Sequence, residues 1–142
     1  MRYVHPLAGV ASILLLLARP TFAQEPLAII VHPSRAAHVE RAEVARIFLK
    51  QQRFWSDGEP IVAINREPGC ASRASFSERV LGGSSGWLSA YWNEQYFHGI
   101  FPPATLSSAA AVKKFVASER NAIGYINASE VDDSVGVVLR VP

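Results

Sequence analysis

Short apolar runs that alternate with longer helix-like segments are the feature of this sequence that most restricts its fold. The runs are rich in branched residues and lie at 27–31, 61–65, 122–126 and 135–141. Continuous apolar runs of this length are typical of strands that are buried on both faces. Because parallel strands need a long crossover, usually a helix, the alternation predicts an α/β fold.

Helical periodicity is found in four segments, residues 41–51, 71–81, 87–97 and 109–118. Ser107 or Ser108 can cap the last of these helices. An aromatic stripe in the third segment predicts a face packed in the core, and residues 99–106 are expected to form an irregular connection. We therefore expect a small three-layer α/β sandwich with a largely parallel sheet and room for one antiparallel strand at its edge.

The first 23 residues have the order of a secretory signal peptide. Arg2 precedes the apolar run 7–18, and "TFA" offers small residues for cleavage after Ala23. The charge-free stretch 3–18 is shorter than the roughly 20 residues that a membrane span needs. We therefore expect a single periplasmic or secreted domain, residues 24–142, with no membrane span after cleavage.

Charge and residue usage exclude several classes of function. The chain has 14 Lys and Arg against 12 Asp and Glu, and cleavage would remove two arginines but no acid, which leaves 12 of each. A formally neutral domain does not predict nucleic-acid binding. Cys70 is the only cysteine, so no internal disulfide can form. The histidines of the domain are not spaced as metal ligands, and we expect neither a metal nor a cofactor.

The stretch "NREPGCASRASF", residues 65–76, joins a predicted strand to a predicted helix through a loop that contains glycine. The first N–H groups of a helix lack intrahelical acceptors, so such a junction can bind an anion. Arg66 would add a guanidinium, Ser72 a hydroxyl and Cys70 a weaker thiol donor. The alternative is a helix cap beside a surface arginine.

The spacing of these residues resembles a motif of the periplasmic phosphate-binding proteins of phosphate ABC transporters. In that family a strand leads to an Arg, three residues, Ser-Gly-Thr at the start of a helix, and a Phe four residues later. Here Arg66 is followed by three residues, by Cys70-Ala71-Ser72 and by Phe76. The segments "EVARIFLKQQRFWSDGEPI" and "SAAAVKKFVASERNAIGYI" are similar to flanking family segments in the same order.

The resemblance spans roughly residues 27–127 and implies one lobe, the second, of a type II periplasmic binding protein. It implies an oxyanion site at Arg66, Cys70, Ala71 and Ser72, with phosphate or a similar small oxyanion as the ligand. Cys70 and Ala71 replace the family's Ser and Gly, and the chain has length for one lobe only. Loss of about two charge-assisted hydrogen bonds, at roughly 1.5–3 kcal/mol each, would weaken binding by about 10²–10⁴-fold.

Two other functions stay open at this point. The lobe could be an accessory module with a decayed site that docks on a membrane protein or another periplasmic partner, and Phe101 in the connection 99–106 is a candidate contact. Alternatively, Cys70 could be a nucleophile with His32, at the end of the first strand, as its base. No catalytic motif surrounds either residue, so we do not expect an enzyme.

Overall fold

The computed structural model describes residues 24–142, which form one five-stranded sheet with four helices. The strands are β1 (Leu27–Val31), β2 (Val62–Arg66), β3 (Ala104–Leu106), β4 (Ala122–Asn127) and β5 (Gly136–Val141), in the order β3-β2-β4-β1-β5. The predicted signal peptide, residues 1–23, lies outside the described residues. Within residues 24–142, no helix is both long enough and apolar enough to cross a membrane.

The α/β class is confirmed, and the sheet is mixed: four of its five strands run in one direction and β1 runs against them. β2 pairs in parallel with β3 and β4, whereas β1 pairs antiparallel with β4 and β5. The reversed strand β1 is therefore an inner strand and not the edge strand that we expected. Every residue of β1 is buried, and this apolar pattern predicts a central place in the sheet without indicating the strand's direction.

The helices are α1 (Arg41–Phe48), α2 (Ala71–Phe76), α3 (Ser85–Phe97) and α4 (Ala109–Ser118). A π-helical turn, Ser77–Leu81, continues α2 and ends at Gly82, which has a positive φ of 67°. Ser108 caps α4, because its hydroxyl accepts a hydrogen bond from the N–H of Ala111 at 3.0 Å. All four predicted helices are thus present, with shifted ends.

Two apolar cores, one on each face of the sheet, give the predicted three layers. On one face α1 and α2 cover the sheet, and the ring of Phe76 stacks on Tyr125 at 3.9 Å between centroids. On the other face α4 packs through Val112 and Val116. A Cβ at Gly124 of β4 would lie 2.7 Å from a methyl of Val112, so glycine allows this close approach.

Two expectations about the region after the second helix were wrong. The connection 99–106 contains the short edge strand β3, whose three residues lack the apolar pattern of a buried strand. In addition, none of the residues of α3 is buried, although its aromatic stripe predicted a core face. α3 instead lies on the outside of the domain.

Candidate functional site

The junction between β2 and α2 is built as the sequence predicted. Arg66 is the last residue of β2, and Cys70 is the N-cap of α2. The loop between them turns at Gly69, whose φ of 86° favours glycine. The side chain of Arg66, the thiol of Cys70 and the first N–H groups of α2 therefore meet at the carboxyl end of β2.

Arg66 and Ser72 are brought together across this loop. Nη1 of Arg66 lies 3.3 Å from the hydroxyl oxygen of Ser72 and donates to it. Both side chains are largely shielded, since the Arg66 side chain is 11% exposed and Ser72 is 7% exposed. Limited contact with water strengthens the interaction of a guanidinium with any anion that reaches it.

Glu67 is a member of this site that the sequence analysis did not identify. Its two carboxylate oxygens accept hydrogen bonds from Nε and Nη2 of Arg66, both at 3.1 Å. The hydrogen bonds from Arg66 lower the pKa of Glu67, and the bonded carboxylate in turn raises the pKa of Arg66. An acidic residue directly after the arginine was the available signal. An anion that binds Arg66 must therefore share the guanidinium with the carboxylate of Glu67 or displace that carboxylate.

Cys70 acts as the cap of α2 and contacts Ser72. Its sulfur accepts a hydrogen bond from the N–H of Arg73 at 3.4 Å and lies 3.3 Å from the Ser72 hydroxyl oxygen. Ala71, the first residue of α2, is exposed. The thiol thus occupies the position at which a serine hydroxyl would be a stronger capping group and a stronger donor.

A second guanidinium, that of Arg73, supports the loop. Its Nη1 donates to the backbone carbonyl of Arg66 at 2.7 Å. The buried hydroxyl of Tyr125, on the neighbouring strand β4, accepts a hydrogen bond from the N–H of Arg66 at 3.3 Å and is hydrogen-bonded to the side chain of Asn65. Burial raises the pKa of Tyr125, so the phenol stays neutral. These contacts hold the end of β2 in a defined position.

The structure places His32 away from Cys70, contrary to the pairing that a Cys70 nucleophile would need. β1 is antiparallel to β4, and β4 is parallel to β2. The carboxyl ends of β1 and β2 therefore point in opposite directions along the strands of the sheet. The ring of His32 instead contacts the Ser34 hydroxyl at 2.8 Å. Among residues 24–142, no cluster of three His, Cys, Asp or Glu side chains is arranged to hold a metal ion.

An open groove of about 940 Å³ adjoins the loop and separates α2 from α3. Its lining includes Cys70, Ala71 and Arg73 from the loop and α2, and Leu88 and Trp92 from α3. Arg66 and Ser72 do not line this groove. A small anion at the Arg66 guanidinium would therefore sit beside the groove rather than inside it.

Comparisons of this chain with protein-family models and with solved structures point to the same group of binding proteins. Residues 18–138 match the family model of a PBP superfamily domain. The chain is 27% identical, with a TM-score of 0.65, to a protein from Clostridium perfringens that is described as a phosphate ABC transporter substrate-binding protein and was solved with bound phosphate. It is 22% identical to an ABC-type phosphate transport receptor from Vibrio cholerae, with a TM-score of 0.67. No curated protein matches this chain.

These similarities cover most of this chain but less than half of the other proteins. The alignments cover 80% and 82% of this chain, against 44% of the Clostridium protein and 47% of the Vibrio protein. PstS from Borrelia burgdorferi, at 16% identity and a TM-score of 0.63, is covered over 46% of its length. The shared part is thus one α/β lobe.

Proposed function

Because the chain belongs to the PBP superfamily, we propose that it is an exported single-lobe relative of phosphate-binding proteins that binds phosphate or a similar small oxyanion weakly. The site would consist of Arg66, Cys70, Ala71 and Ser72. The observation that carries this proposal is the 3.3 Å contact between Nη1 of Arg66 and the Ser72 hydroxyl at the start of α2. It places a guanidinium and a hydroxyl at one end of a strand-to-helix loop.

The chemistry of this junction fits a tetrahedral oxyanion. The N–H groups of Ala71 and Ser72 lie in the first turn of α2, where a helix offers donors without intrahelical acceptors. The Ser72 hydroxyl can donate to an oxyanion, and the guanidinium can donate two parallel hydrogen bonds. Because α2 is short, we assign the main attraction to Arg66 rather than to the helix dipole.

Three features make the proposed binding weak. Glu67 already pairs with two nitrogens of Arg66, Cys70 supplies a thiol rather than a hydroxyl, and residues 24–142 form one lobe, which contacts a ligand from one side. An anion bound to one lobe stays partly hydrated, so each hydrogen bond contributes less than it would in a closed cleft. We expect dissociation constants in the millimolar range, and weaker binding as salt is added.

Calorimetric titration of phosphate and sulfate at low ionic strength tests this proposal. Arg66→Ala should abolish the heat of binding, because it removes the only guanidinium in contact with Ser72 in the described part of the chain. Arg46→Ala is the matched control, since Arg46 is exposed on α1 and its loss changes net charge equally. Absence of binding to the original protein at millimolar anion, or an equal loss in both variants, would refute the site.

The proposed function also includes the location of the protein in the cell. We infer export to the periplasm or secretion, from the signal-like residues 1–23 and from the similarity to transport receptors. A membrane transporter component or another periplasmic protein would then be the partner that receives the anion or senses its occupancy. Cross-linking in cells, followed by identification of the cross-linked protein, tests this part separately from the titration.

A further inference from the structure

The outer side of the last turn of α3 and the turn after it display three large aromatic side chains to solvent, Tyr96, Phe97 and Phe101, and we call them the aromatic surface. Their exposed fractions are 64% for Tyr96, 85% for Phe97 and 59% for Phe101. A helix with this composition normally buries a face. Such a concentration of exposed aromatic side chains marks an interaction site on a soluble protein.

The rings of the aromatic surface contact one another in the single chain. The ring of Phe101 meets that of Tyr96 edge-on at 5.5 Å between centroids, and Phe97 lies edge-on to Tyr96 at 6.5 Å. On the inner side, the Tyr91 hydroxyl donates to the carbonyl of Leu49 at 2.7 Å and attaches α3 to the domain. Aromatic side chains have few rotatable bonds, so they lose little conformational freedom when they are covered, which favours association.

Charge around the aromatic surface limits what can cover it. Residues 82–112 contain neither Lys nor Arg, and Glu94 is the only acidic residue among them. Glu94 lies 3.4 Å from the ring of His98, one helical turn away. A surface for nucleic acid or anionic lipid needs basic residues, and a surface for a strongly charged protein needs complementary charge.

We propose that the aromatic surface binds the same surface of a second copy of this chain, in a two-fold symmetric dimer. In such a dimer a patch meets itself, so like charges within it would repel. Residues 82–112, which carry the aromatic surface, contain Glu94 as their only acidic residue and no Lys or Arg, so this segment meets its own copy with little of that repulsion. Its Tyr and Phe side chains are of the types enriched in the core of protein interfaces. The dimer does not depend on anion binding at Arg66.

Sedimentation equilibrium from micromolar to sub-millimolar protein tests the dimer, and we expect a concentration-dependent monomer–dimer equilibrium. Phe97→Glu should weaken self-association by roughly tenfold or more, because it places two like charges in the centre of a symmetric patch. Since Phe97 is the most exposed of the three residues, the monomer should keep its circular dichroism spectrum.

Phe54→Glu is the matched control, because Phe54 is 59% exposed and lies beyond α1, outside the aromatic surface. It should leave the association constant unchanged. A protein that stays monomeric at sub-millimolar concentration would overturn the dimer, as would equal effects of the two substitutions. Monomers that co-sediment with phosphatidylcholine vesicles through Phe97 would show that lipid covers this surface, and would likewise overturn the dimer.

Discussion

Glu67 holds the guanidinium of Arg66 with both of its carboxylate oxygens, each 3.1 Å from a nitrogen. This pairing of neighbours places a carboxylate where an oxyanion ligand would compete for the same donors. Only Nη1 is directed to Ser72. The affinity of the proposed site therefore depends on the free energy needed to break the hydrogen bonds between Glu67 and the guanidinium.

Replacing Glu67 with Gln should raise the affinity for sulfate by roughly tenfold, because a neutral amide competes less well for Arg66. Sulfate is the suitable probe, since it does not titrate near neutral pH. Calorimetric titration measures the change. Glu78→Gln removes the same charge from an exposed position in the π-helical turn. An equal gain in that variant would mean that general repulsion, and not displacement of Glu67, limits binding.

Cys70→Ser should act on two measurable properties. Serine is the better N-cap, so the free energy of unfolding should rise by about 0.5–1 kcal/mol. The stronger hydroxyl donor should also improve phosphate binding, by on the order of 1 kcal/mol. Adding Ala71→Gly should help further by removing a methyl group from the ligand's approach path. If the double variant is stable but shows no phosphate binding at millimolar concentration, this loop is not an anion site.

Gly124→Ala should destabilise the domain by about 1–3 kcal/mol. The added methyl would lie 2.7 Å from Val112, so α4 would have to move away from β4. Urea denaturation measures the loss. Gly86→Ala makes the same chemical change in α3, where the nearest atom is 3.9 Å from the new carbon. It should be neutral or stabilising by up to about 1 kcal/mol, and a similar loss there would show that packing on α4 is not the cause.

Acid should remove part of the domain's stability through Asp132. The hydrogen bond from Lys113, with 2.7 Å between Nζ and Oδ2, and those from Ser134 lower the pKa of Asp132 to about 2. A lowered pKa means that the carboxylate stabilises the fold above its ordinary pKa of about 3.9 and loses this effect as the pH falls toward 2.

Asp132→Asn should therefore lower the Tm at neutral pH and reduce its dependence on pH between about 4 and 2. Thermal melts across this range measure both effects. Asp133→Asn is the control, because Asp133 is adjacent and forms no ion pair within residues 24–142. An unchanged pH dependence in the Asp132 variant would show that other carboxylates control acid stability.

Cleavage after Ala23 should accompany export. N-terminal sequencing of protein from the periplasmic fraction or the culture medium should read Gln-Glu-Pro-Leu, from Gln24 onward. Ala23→Leu places a large side chain at the cleavage point and should cause accumulation of the longer precursor. Intact Met1 on the original protein in the cytosol would contradict the signal-peptide prediction.

Features of this structure that depend on local sequence could be predicted, whereas features that depend on contacts between distant parts of the chain could not. The Arg66 and Ser72 junction was predictable, because a strand, a glycine turn and a helix start are local features. The Glu67 pairing was not, because it depends on how two neighbouring side chains turn at the strand end. The direction of β1 and the exposure of α3 depend on long-range packing, and an apolar or aromatic pattern reports burial tendency alone.

The antiparallel pairing of β1 with β5 places Leu27 opposite Val141, so the start of β1 and the end of β5 lie side by side on two adjacent strands. A folded unit with neighbouring entry and exit points can be inserted into a surface loop of another protein without stretching either connection. For the same reason, a short glycine-rich linker should join residue 142 to residue 24, and new ends could open at Gly83, ahead of α3. Such a circular permutant would keep every strand pairing of the lobe.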